Sequence, residues 1–135
     1  MNSVKFVVVM TACLVVLAGC ASGPAGESAN PFAGLFQPNK AEQALSAGIK
    51  QFEEGEYANA TKSLQGALDL GLAGDSNRIK AHKYLAFIHC VSGRQRLCRE
   101  EFGKALEINP AMELEPSEKG HPIWGPEFRS AKARK

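Results

Sequence analysis

Seven pairs of like residues recur in this chain at one fixed offset, and that recurrence limits the fold more than any other feature. Gly48 is matched by Ala86, Gly55 by Gly93, Ala60 by Cys98, Leu64 by Phe102, Ala67 by Ala105, Leu68 by Leu106 and Leu70 by Ile108, each pair 38 residues apart. One match at that distance would carry little weight; seven in a single register make an internal repeat. Within each copy the apolar residues stand three and four apart, which places them on one face of a helix. Gly55 and Gly93 interrupt the pattern midway, so each copy reads as two helices joined by a tight turn. The expected helices are Ala41–Glu54, Tyr57–Leu70, Asn77–Val91 and Gln95–Ile108.

This pattern resembles the tetratricopeptide repeat (TPR), a helical hairpin with small residues at these points and a proline closing the second helix, a role Pro110 fits. The resemblance covers roughly 70 residues and departs from the family in two places. The large aromatic expected early in the first helix is Ala44 in one copy and His82 in the other, and the loop Gly71-Leu72-Ala73-Gly74 lengthens the usual period. Two hairpins bury little apolar surface alone, and repeat arrays need caps. Residues 111–135 are expected to supply one. Met112 and Leu114 are apolar there, while Pro122, Gly125 and Pro126 forbid regular helix up to that point. Pro126 then opens a short final helix carrying Phe128 and Ala131. Trp124 is expected to cover the open end of the second hairpin, with ligand binding as the other reading. The fold class expected is therefore all-α: two TPR-like hairpins, a Pro-rich strap and a short C-terminal capping helix.

The chain starts differently. Lys5 precedes a run, Phe6 to Leu17, that is apolar except for Thr11 and too short to span a bilayer comfortably. Leu17-Ala18-Gly19-Cys20 follows and resembles the lipobox of bacterial lipoproteins, in which the cysteine is acylated and the preceding peptide removed. A plain secretory signal or a short anchor are the other readings. The resemblance implies a signal peptide over 1–19, a lipid (palmitate-type) anchor on Cys20 and no other cofactor. Several acyl chains meet the two-signal requirement for stable membrane attachment. Ala21 and Ser22 after Cys20, with no aspartate, imply sorting to the outer membrane, with the domain facing the periplasm. Residues 20–39 form the lipidated terminus and a Gly, Pro, Ser and Asn linker, and residues 40–135 the helical domain. Phe32, Leu35 and Phe36 in the linker either pack on the first helix or form a short docking motif.

Charge excludes some partners. Without Lys5, fifteen basic residues face fourteen acidic ones, and no basic stripe argues for nucleic acid. His82, His89 and His121 lack metal-ligand spacing, there is no Cys-x-x-Cys and no Gly-rich phosphate loop after a strand, so neither a metal nor an enzyme is expected. Cys13 leaves with the signal, which leaves Cys90 and Cys98 bracketing the turn at Ser92-Gly93-Arg94. They are either a disulfide across the hairpin, favoured by an oxidising compartment, or two small apolar packers.

In the tetratricopeptide fold the first helix of each hairpin lines the concave face. That resemblance implies a partner-binding groove of Leu45, Ile49, Phe52, Glu53, Lys83 and Phe87, unless the linker or the C-terminal strap fills it. The function expected is a non-catalytic TPR lipoprotein that binds another envelope protein or peptide, as small accessory proteins of secretion machines do, type VI included. A self-associating structural lipoprotein is the alternative, with an enzyme last.

Overall fold

The computed structural model of the chain describes residues 39–134; the expected signal peptide, the expected lipidation site Cys20 and the apolar linker residues Phe32, Leu35 and Phe36 lie outside the described residues. Among the described residues six helices follow one another: α1 (Lys40–Glu53), α2 (Tyr57–Asp69), α3 (Asp75–Val91), α4 (Gln95–Ile108), α5 (Pro116–Lys119) and α6 (Trp124–Ala133). No strand occurs among the described residues, and the fold is all-α.

Local chemistry sets the ends of these helices. At the start of α1 the Glu42 backbone N–H donates to Asn39 Oδ1 at 2.9 Å, and the Asn39 N–H donates to the Glu42 carboxylate at 3.3 Å. This reciprocal cap satisfies two donors that the first turn leaves without partners. Gly55 and Gly93 have φ of 79° and 72°, in the left-handed region that only glycine enters cheaply. The two repeat glycines therefore reverse the chain at the same place in each copy.

α1 packs antiparallel on α2, and α3 on α4. Gly48 is what lets the first pair close. A methyl group there would sit 2.7 Å from Leu64 Cγ and 3.1 Å from the Leu64 backbone nitrogen. The lengthened inter-repeat loop also has a packing role. Leu72 is buried with Ala41, Leu45, Leu64 and Leu85 in a core shared by α1, α2 and α3. A second core joins Ala86, Phe87, Phe102 and Leu106 to Met112, Leu114, Phe128 and Ala131. α3 faces both cores, which is why Leu85 through Cys90 are buried without a break.

The capping region differs from expectation. A helical turn, α5, forms at Pro116–Lys119, where no helix was expected. Proline at its first position costs nothing there, because that N–H has no intrahelical partner. Glu118 reaches back to accept from the Glu115 N–H at 3.0 Å. The last helix starts at Trp124, not at Pro126. Pro126 occupies the third position of α6, inside the turn whose amides need no intrahelical acceptor. α3 likewise starts at Asp75, two residues before the expected Asn77, because Gly74 (φ 77°) turns the chain earlier.

Candidate functional site

The strap from Glu113 to Trp124 crosses the side of the hairpins on which a groove was expected. Trp124 lays its ring on Phe87, centroids 4.5 Å apart, and donates its indole N–H to the Glu118 carbonyl at 3.1 Å. The Lys83 ammonium donates to the Glu118 carboxylate at 2.7 Å, with both side chains mostly buried, and lies 5.4 Å from the Tyr84 ring centre. Arg99 and Glu127 pair at 2.6 Å and fasten α6 to α4.

The six residues expected to line the groove therefore have separate fates. Phe87 is 2% exposed, closed over by Trp124, and Leu45 is buried against α2 and α3. Neither is a groove residue, and that expectation is corrected: the strap and the hairpin core cover both. Lys83 is half-buried and held by Glu118. Ile49 and Phe52 are half-buried, and Glu53 is exposed.

What stays open is an aromatic cluster at the turn end of α1. Phe52 packs against Tyr57 at 5.7 Å, Tyr84 at 5.3 Å and Phe87 at 6.1 Å. Tyr57 is 39% exposed and Tyr84 half-buried, so the cluster runs from solvent at Tyr57 to the covered core at Phe87. Burial raises the Tyr84 pKa, and the nearby carboxylates of Glu118 and Glu53 raise it further, so its hydroxyl stays a neutral hydrogen-bonding group. Sequence reasoning missed Tyr57 and Tyr84 as site residues. Tyr84 stands three before Phe87, the helical spacing that would have placed both on one face.

The polar groups inside the second hairpin are occupied with one another. His82 Nδ1 is 2.7 Å from Glu101 Oε2, and Lys104 donates to Glu101 Oε1 at 2.6 Å. Burial pushes the Glu101 carboxyl up, but the hydrogen bonds and charges of His82 and Lys104 outweigh it and hold it below the usual value. His89 is buried, and its Nδ1 has no hydrogen-bond partner among the described residues. Burial and then the Arg94 charge lower its pKa, which keeps the ring neutral. His121 stacks on Trp124. No group of three or more His, Cys, Asp or Glu among the described residues is placed to hold a metal ion. Cys90 and Cys98 are joined by a disulfide, Cα atoms 5.2 Å apart, and both are buried, so this hairpin presents no thiolate. Glu101, held between His82 of α3 and Lys104 of α4, braces the second hairpin from inside.

No helix among the described residues is long and apolar enough to cross a membrane. Comparison with protein-family models, with curated proteins and with solved structures finds no match to this chain.

Proposed function

We propose that the chain is a non-catalytic outer-membrane lipoprotein whose TPR-like domain binds another envelope protein. The reading rests above all on the half-open cluster of Phe52, Tyr57 and Tyr84, since most other large apolar side chains of the domain are covered by its own elements. Aromatic side chains that end half-exposed on a rigid helical scaffold are the usual anchors of protein interfaces. Carboxylates surround this one: Glu53, Glu54 and Glu56 are all exposed beside it. The partner segment that suits it is apolar at its centre and basic at its edge. The disulfide agrees with an oxidising compartment outside the cytoplasm, where the lipobox-like Leu17–Cys20 would deliver the chain. Envelope and secretion machines use small accessory lipoproteins of this kind, and an accessory role in one is the place we propose for it.

Two experiments test the reading. Cys20→Ala should abolish fatty-acid labelling and leave the signal peptide uncut; unchanged labelling refutes the anchor. Tyr57→Glu should abolish capture of the partner by the purified domain without lowering its melting temperature. Capture that survives the substitution removes this surface from the account, and capture of a second copy of the chain replaces the adaptor with a self-associating lipoprotein.

A further inference from the structure

A concavity lies between the extended stretch of the strap and α6, and it has a chemistry of its own. Its volume is about 310 Å³, at the small-molecule end of ligand pockets. Leu114 and Phe128 form an apolar floor; Lys119, Arg129 and Lys132 stand around it with one carboxylate, Glu113. Gly125 also lines it, and its lack of a side chain has a structural cause: a methyl group there would lie 2.6 Å from the Lys119 carbonyl oxygen. Only glycine lets α6 start so close to the end of α5, and that approach frames the cavity.

Its charges do not cancel. Lys119 reaches Glu113 at 3.2 Å and Lys132 pairs with the same carboxylate, so two cations share one anion. Lys132 also donates to the Met112 carbonyl at 3.4 Å. Arg129 has no ion-pair partner among the described residues. Three positive groups over a floor of two buried apolar side chains suit an anion that carries an apolar body. The guanidinium of Arg129 can take a carboxylate through two parallel hydrogen bonds, and the lysines supply charge from the sides. A bare inorganic anion would leave the floor wet, and a neutral apolar molecule would gain nothing from the three cations.

We propose that this cavity is a binding site for a small organic carboxylate, its charge on Arg129 and its apolar body on Leu114 and Phe128. The site is separate from the aromatic cluster at Tyr57 and does not depend on the proposed partner.

The test is titration of the purified full chain with 4-phenylbutanoate, followed by calorimetry and by the amide signals of Gly125 and Phe128. Saturable binding with those amides shifting is expected. The uncharged 4-phenylbutanamide and inorganic phosphate should each bind at least tenfold more weakly. Arg129→Gln, at an exposed position, should weaken the acid about tenfold with an unchanged melting temperature, because exposed substitutions seldom disturb the fold. Lys132→Gln serves as a second variant if the first unfolds. Equal binding of acid and amide, or no saturable shift at Gly125 and Phe128, overturns the proposal. So does tenfold tighter binding of a peptide ending in a free Phe carboxylate, which would assign the site to a chain terminus instead.

Discussion

The two hairpins share a backbone plan and close their turns by different means. In the first, Phe52 and Tyr57 meet as rings across Gly55; in the second, the residue 38 positions after Phe52 is Cys90, and it is bonded to Cys98 across Gly93. The polar links inside them diverge in the same way. Ser63 donates to Gln51 Oε1 at 2.7 Å in the first hairpin, a neutral bond. The matching positions in the second are Glu101 and His89, and there Glu101 instead bridges His82 and Lys104. The second hairpin is thus covalently closed, ionic inside and covered by the strap, whereas the first is neutral and leaves its aromatic end open. Divergence of a repeat in this way separates the half that holds the fold from the half that can offer a surface.

The sharpest challenge to that contrast is a pair of charge insertions. Phe87→Glu buries an unpaired carboxylate beneath Trp124 and should cost several kcal/mol, enough to unfold a domain of this size. Tyr57→Glu, at a position 39% exposed, should stay within about 0.5 kcal/mol of the parent. Thermal melts of the two variants should differ widely; similar melts would erase the distinction between closed and open halves.

Removing the disulfide by Cys90→Ala with Cys98→Ala should cost about 2.5 kcal/mol, the chain-entropy value for a loop closed over a sequence separation of 8. Hydrogen exchange should show the loss of protection concentrated in α3 and α4. Loss spread evenly over α1 and α2 would mean that the hairpins open as one unit.

An effect of similar or smaller size belongs to the first hairpin. Gly48→Ala forces a methyl against Leu64 and should destabilise by about 1–3 kcal/mol despite alanine's better helix propensity. A stabilised variant would show that α1 and α2 can separate without cost.

The gentlest effect is that of acid on the second hairpin. Glu101 has a pKa lowered from 4.5, so its contribution is complete above that value and is lost as pH falls through the folded pKa below it. His89 has a pKa lowered from 6.5, so the unfolded chain takes up a proton first and stability declines as pH drops below 6.5. Both groups make stability rise with pH. Urea titrations from pH 7 to 4 should show the decline, and His89→Gln should remove its upper part; a flat profile in the parent would contradict the assignment. Ser63 and Gln51 do not titrate.

Much of this fold was legible because the repeat is written in side chains that pack. Gly48, Ala60, Leu64 and Ala67 marked the facing surfaces, and the glycines at 55 and 93 marked the turns, since a positive φ leaves few other residues available. α4 begins and ends where its spacing said. The strap was harder to read. Pro122, Gly125 and Pro126 read as barriers to helix before Pro126, yet Gly125 and Pro126 both fall in the first turn of α6, where a missing N–H costs nothing, and position within the turn is not visible until the helix start is known. The groove was misjudged for a related reason. The tetratricopeptide resemblance implied a concave-face position for Phe87, and only the path of a Pro-rich segment some thirty residues later decides that Trp124 lies on it. Tyr57, at the first position of α2, was legible as a helix start but not as the rim of a surface.

The most direct test of the account is photo-cross-linking in intact cells from a reactive residue placed at position 57. Its control is the same residue at position 70, also exposed but about 20 Å along α2. The account predicts one adduct with a different envelope protein from position 57 and none from position 70. No adduct from position 57, or adducts of equal yield from both, would contradict it.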